Sequence, residues 1–293
     1  MKNKPLQTIK YILFDIISAA TAWVLFFYYR VEQIEDKTIN ISNMFIKDII
    51  IVTISWIVLY AFFGFYKNIY RKSRLRELGQ TFASSILGVT ILFFSVVIDD
   101  FIVTYKQYYL SYSVLFVYHF GITAFFRFFL STITAYRIHN KIIGFNTVII
   151  GSNEKAARLF IDLENEVKSS GHRIKGFVNV DDKSTYLLSN YIKHLGGFKK
   201  IKELIKKNKI EDVIIAIETS EHSKISAILN ELENTRVFIK IIPDMYDILS
   251  GSVKMNSILG TPLIEVKHDL LPEWERLLKK GFDYILASIA IIL

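Results

Sequence analysis

The chain has 293 residues, no cysteine, a formal net charge of +8 and a hydrophobic fraction of 52%. The missing cysteine excludes disulfides, thiolate zinc sites and cysteine nucleophiles, and the length leaves room for two folded units. Lys and Arg are sparse up to about Tyr136, one cluster excepted, and frequent after it. This reads as a membrane half followed by a soluble half, and the soluble half has no compact basic–aromatic patch of the kind that binds nucleic acid.

A basic start (Lys2, Lys4, Lys10) precedes a long apolar run with no small-residue cleavage site behind it, so the run reads as a retained anchor. Four apolar stretches follow one another, at about Tyr11–Tyr28, Ile46–Tyr66, Phe82–Ile98 and Tyr109–Leu130, each near the length a spanning helix needs. Gly88 weakens the third slightly. The loop after the second stretch carries Lys67, Arg71, Lys72, Arg74 and Arg76 against Glu77, whereas the first and third loops are slightly acidic. Basic segments alternate with acidic ones, which predicts both termini on the cytoplasmic side. Three ionisable residues fall inside spans. Asp15 and Arg127 read as a snorkelling or interhelical pair near the cytoplasmic ends, and His119 as a packed core histidine.

From Asn146 the periodicity changes. Thr147–Gly151 predicts a strand, Asn153–Lys168 a helix, Ile174–Val180 a strand and Lys199–Lys209 a helix with a basic outer face. Asp212–Ile217 predicts a buried strand, Glu221–Asn234 a helix and Val237–Ile242 a strand closed by Pro243. Strands alternating with helices imply a doubly wound, parallel α/β domain of Rossmann type. Its first strand–turn–helix, Gly151-Ser-Asn-Glu-Lys-Ala156, keeps only the first glycine of G-x-G-x-x-G. Gly151, Ser152 and Asn153 are the candidate phosphate or nucleotide contacts, because Ser152 and Asn153 can cap the helix and aim N–H groups at an anion. Glu154 would oppose one. A ligand-free scaffold is the competing reading. Asp181 and Asp182 follow the second strand later than a ribose-binding carboxylate usually does. There is no Tyr-x-x-x-Lys pair, Walker loop, HExxH or GxSxG, and His139, His172, His194, His222 and His268 read as solvated surface residues without metal spacing.

The expected organisation is a four-helix transmembrane domain over 1–132, a linker over 133–145 and a Rossmann-like domain over 146–250. A second linker spans 251–270, and 271–293 open a further module. That last stretch joins an amphipathic basic lead-in, Leu271–Asp283, to the apolar run Tyr284–Leu293, too short to cross a bilayer. It reads as the start of a re-entrant membrane helix.

The order of these parts carries a resemblance. Four spans precede a glycine-poor Rossmann-like domain, followed by Ile242-Pro-Asp-Met-Tyr-Asp-Ile-Leu-Ser-Gly251, Leu259-Gly-Thr-Pro-Leu-Ile-Glu265 and Trp274-Glu-Arg-Leu-Leu-Lys-Lys-Gly-Phe-Asp283. Gly64-Phe-Tyr66 and Arg71–Leu78 add to it. Together they resemble the long-form bacterial polyprenyl-phosphate hexose-1-phosphate transferases. The resemblance implies transfer of a sugar 1-phosphate from a UDP-sugar to undecaprenyl phosphate at the cytoplasmic face of the bacterial inner membrane, initiating polysaccharide assembly. Lys279, Lys280, Phe282 and Asp283 match the membrane-interface entry of that family's catalytic module, where the cations can meet lipid phosphates. The family's Asp-Glu pair, magnesium site and UDP-sugar contacts lie beyond that entry, so residues 1–293 are expected to hold no catalytic or metal-ligating residue and to be inactive alone. Magnesium is expected only with the catalytic module. The expected partners are the lipid bilayer, undecaprenyl phosphate and further copies of the chain, with no nucleic acid. Two other readings stay open: a membrane-bound nucleotide-sugar dehydratase-like protein, and a non-enzymatic nucleotide-binding membrane sensor.

Overall fold

A computed structural model describes residues 4–33, 43–97, 105–181, 186–217, 222–235, 237–243 and 263–266, with residues 279 and 283. The chain forms two units, Met1–Ala135 with Leu271–Leu293, and Tyr136–Leu270.

The first unit is helical: α1 (Lys4–Gln33), α2 (Asn43–Phe62), α3 (Arg74–Leu92, continued by a π turn over Phe93–Val97) and α4 (Tyr105–His139). All four are long and apolar enough to cross a membrane. Their two faces separate as lipid immersion requires. On α2, Ile46, Ile50, Ile54 and Val58 form an exposed stripe at four-residue spacing, while Val52, Trp56 and Tyr60 are buried against the other helices. The shared core joins Trp23 and Phe26 of α1 to Val89 of α3 and Leu115 of α4. Gly88 serves close packing: a Cβ there would lie 2.3 Å from the Trp56 ring, so glycine lets the indole reach the α3 backbone. The start of α1 lies beside the far part of α4, where Gln7 Nε2 donates to Thr134 Oγ1 at 3.1 Å.

The spans differ from expectation at their ends. The second stops at Phe62, because Phe63–Tyr66 turns through Gly64 at φ 70°. The third begins earlier, at Arg74, where Ser73 caps the helix by accepting from Arg76 N. The fourth continues to His139, through the first half of the expected linker.

In the second unit the sheet order is β3-β2-β1-β4-β5-β6, with β1 (Phe145–Ile150), β2 (His172–Asn179), β3 (His194–Gly197), β4 (Asp212–Ile215), β5 (Phe238–Ile241) and β6 (Ile264–Val266). All pairings are parallel except β5–β6. The chain winds outward from β1 in both directions, the doubly wound arrangement expected. Helix α5 (Glu154–Asn165) covers one face, burying Ala156, Leu159 and Leu163 on Ile149, Phe177 and Ile214. Helices α6 (Ile201–Lys207) and α7 (His222–Leu232) cover the other, burying Ile201, Ile205, Ile228 and Leu232 on Val148, Ile150, Val213 and Ile239. Neither β3 nor β6 is in the sequence reading, and β6 lies where a linker was expected.

Candidate functional site

An open doubly wound sheet binds ligands at the switch point, outside the carboxyl ends of the strands that wind in opposite directions. Here those strands are β1 and β4. Gly151, immediately after β1, has φ +128°, and a Cβ on it would lie 2.4 Å from Ala216 O at the end of β4. Its N–H donates to Val178 O at 2.9 Å, and Ala216 N donates to Ile150 O at 2.8 Å. The two strand ends are thus closed on each other through a position where only glycine fits.

Asn153 caps α5, its Oδ1 accepting from Ala156 N at 3.0 Å. Gly151, Ser152 and Asn153 therefore stand together at a strand–turn–helix junction, with the Asn153 oxygen used by the helix itself. Ala156, where the fingerprint has its last glycine, is fully buried against the sheet, and its methyl fits that contact. Glu154 turns along the helix to Arg158, 2.6 Å away. The rim is bridged by protein contacts. Asp181, which follows β2, pairs with Lys224 of α7 at 2.7 Å, and Asn179 at the end of β2 lies 2.8 Å from His194 Nε2. A phosphate could be met by backbone N–H groups of the turn. Among the described residues the crevice brings no nucleophile–base pair together, and no group of three His, Asp or Glu side chains could hold a metal ion.

The membrane unit has its own polar centre. Arg127 of α4 grips Asp15 of α1 with two bonds, Nε to Oδ1 and Nη2 to Oδ2, both 2.9 Å. Each residue is only 1% exposed. Tyr66 donates its hydroxyl to Asp15 Oδ2 at 3.0 Å, Arg127 Nη1 donates to Thr81 Oγ1 at 3.3 Å, and the guanidinium lies 4.0 Å from the Tyr60 ring centre and 4.1 Å from that of Phe65. One ion pair thus ties α1, α3, α4 and the α2–α3 loop together. Lys72 reinforces the loop, its ammonium donating to Phe65 O at 2.7 Å. Burial lowers the Lys72 pKa to about 8; Glu77 and Asp15 oppose the shift, and Arg127 and Arg76 add to it. Burial, with the Asp15 carboxylate beside it, raises the Tyr66 pKa and keeps the phenol a donor.

A family profile described as a CoA-binding domain matches residues 61–243, from the end of α2 to the end of the parallel sheet. The chain belongs to this CoA-binding domain family. The capsular polysaccharide biosynthesis protein CapD of Staphylococcus aureus is 24% identical over 259 residues, covering 84% of this chain and 41% of that protein. The UDP-glucose:undecaprenyl-phosphate glucose-1-phosphate transferase of Escherichia coli (strain K12) is 24% identical over 98 residues, covering 33% of this chain and 21% of that protein. The chain thus spans less than half the length of the curated relatives it matches. The UDP-D-quinovosamine 4-dehydrogenase of Vibrio fischeri aligns at a TM-score of 0.33 and 21% identity, over 45% of this chain and 98% of that one, too distant to carry an argument. By name, the first two relatives stand in the setting that the sequence resemblance implies.

The interhelical pairing read for Asp15 and Arg127 holds and their snorkelling does not, since both are buried; the packed-core reading of His119 also holds. His119 Nε2 lies 2.8 Å from Tyr60 Oη, and its ring stacks on Trp56 at 3.5 Å. The reading of His172 as a solvated residue does not hold. Its side chain is 2% exposed, with Nδ1 3.4 Å from Asp212 Oδ2 and 3.1 Å from Thr147 Oγ1. Lys240 Nζ lies 3.0 Å from His172 Nε2 and 3.6 Å from Asp212 Oδ2. An ammonium can only donate, so Nε2 accepts and the ring proton sits on Nδ1. This cluster lies toward the starts of β2 and β4, away from the crevice, and joins the four strands β1, β2, β4 and β5. No local signal marks it, because the partners come from Thr147, Asp212 and Lys240. Lys279 and Asp283 are helical, while Lys280, Phe282 and His268 lie outside the described residues.

Proposed function

We propose that residues 1–293 are the membrane anchor and the regulatory or oligomerisation region of a sugar-phosphate transferase. The complete enzyme moves a hexose 1-phosphate from a UDP-sugar to undecaprenyl phosphate in the bacterial inner membrane, with both termini of this region cytoplasmic. The observation that carries the reading is the order of parts. Four apolar helices lead into a glycine-poor doubly wound domain, and then into Trp274–Asp283, the stretch that resembles the entry of that family's catalytic module. The match to the Escherichia coli transferase supports it. In this reading Lys279, Lys280, Phe282 and Asp283 sit at the lipid interface, near undecaprenyl phosphate, and copies of the chain associate.

Gly151, Ser152 and Asn153 are the proposed contacts for a regulatory phosphate or nucleotide. Calorimetry of residues 1–293 with UDP-sugars tests this, and a flat titration at millimolar ligand leaves the domain as a scaffold. The anchor role predicts that residues 1–293, reconstituted with a UDP-hexose and undecaprenyl phosphate, release no UMP; measurable UMP would place catalysis within them.

The second reading is the anchor of a nucleotide-sugar dehydratase-like enzyme. It is favoured by the same order of parts, four apolar helices ahead of a doubly wound domain. NAD retained by the protein purified from its native membranes would support it.

A further inference from the structure

The exposed side of α6 and its flanks is almost wholly cationic. Lys193, Lys199, Lys200, Lys206, Lys207 and Lys209 are all exposed, while Ile201 and Ile205 bury the opposite side in the core. Lys206 and Lys207 lie on the last turn of α6, Lys199 and Lys200 in the 3-10 turn that leads into it, and Lys209 just beyond its end. Lys202 is paired with Glu231 at 2.8 Å, and Glu203 is the lone acid within the run. By contrast, the outer face of α5 mixes Glu154, Asp162 and Glu164 with Lys155 and Arg158. The cationic side is therefore a property of one face of the domain.

Topogenic bias does not account for it. That bias acts on residues within about 15–20 positions of a span, and Lys199 lies sixty residues beyond the end of α4. A nucleic-acid face fits poorly, because single-strand binding adds aromatic platforms to the cations, and Phe198, the one aromatic in the run, packs on the core. The tether favours a lipid surface. Helix α4 runs unbroken from its membrane span to His139, and β1 begins at Phe145. A domain joined to a membrane span by so short a connection meets the bilayer at high effective concentration, and each lysine near an anionic surface adds to the attraction.

We propose that the α6 lysine face docks the α/β domain on anionic phospholipid headgroups. The contact depends on surface charge and not on a specific headgroup.

The native chain has no cysteine, so Lys207→Cys supplies a single probe in the full chain, reconstituted in nanodiscs. The readout is the rate at which an uncharged, water-soluble maleimide labels it. In discs with about one-third phosphatidylglycerol, labelling should be about tenfold slower than in phosphatidylcholine discs, and high salt should remove the difference. Lys199→Glu, Lys200→Glu and Lys206→Glu together should abolish the protection while leaving the unfolding temperature unchanged. Equal rates in the two discs, or protection that survives the reversal, would overturn the proposal. So would protection by a short RNA in neutral discs with none from phosphatidylglycerol, which would make this a nucleic-acid face.

Discussion

Asp15 and Arg127, 112 positions apart in the chain, form a two-bond ion pair in the interior of the helical unit. A buried pair of this kind stabilises less by its own attraction than by what happens when one partner is lost, since the other charge is then stranded away from water.

Asp15→Leu is therefore expected to cost about 3 kcal/mol or more, as is Arg127→Met. The double replacement Asp15→Leu with Arg127→Met should recover much of the loss, because no stranded charge remains. Thermal unfolding of the four proteins in detergent checks this. Independent, additive losses would show that the pair is not the clasp between α1 and α4.

Two glycines give a contrast. Gly151→Ala meets both the +128° φ and the Ala216 carbonyl, and should destabilise by about 2–3 kcal/mol. Gly79→Ala lies within α3 with nothing within 4 Å of the added Cβ, and should be neutral or stabilise by about 0.5–1 kcal/mol. Denaturant midpoints of the two variants measure the difference. Equal effects would remove the argument that β1 and β4 close through residue 151.

Lys72 gives stability a pH dependence. Folded, its ammonium loses the proton near pH 8; the ordinary lysine value is 10.5. Between these the unfolded chain binds more protons, so stability rises with pH through that window. The Tyr66 phenol, raised in the folded state, works in the opposite sense above about pH 10, so the comparison belongs below that. The difference in unfolding temperature between the native chain and Lys72→Met should grow in favour of the native chain from pH 7.5 to 9.5. A constant difference would mean that the ammonium keeps its ordinary affinity for the proton.

The architecture is legible in the sequence where one local pattern dominates. Long apolar runs mark the spans, and β-branched runs such as Thr147-Val-Ile-Ile150 mark the central strands. The ends are less legible. Thr132–His139 loses apolar character, so α4 outlasts its hydrophobic signal. Strand β3, His194-Leu-Gly-Gly197, has no β-branched residue and exists through pairing with β2. Strand β6 has three residues and depends on β5. At the site, Gly151 and Asn153 are legible because turn and cap chemistry is local. The Asp181–Lys224 bridge and the His172 cluster are not, because each joins residues far apart in the chain.

The most direct test of the proposed function is the product formed by native membranes. Membranes containing the complete protein, given UDP-hexose labelled in the sugar and undecaprenyl phosphate, should yield a lipid-extractable sugar diphosphate together with UMP, and deletion of the gene should remove both. Release of UDP, or conversion of the UDP-sugar to a keto-sugar nucleotide with no UMP, would contradict the account and assign the anchor to a different enzyme.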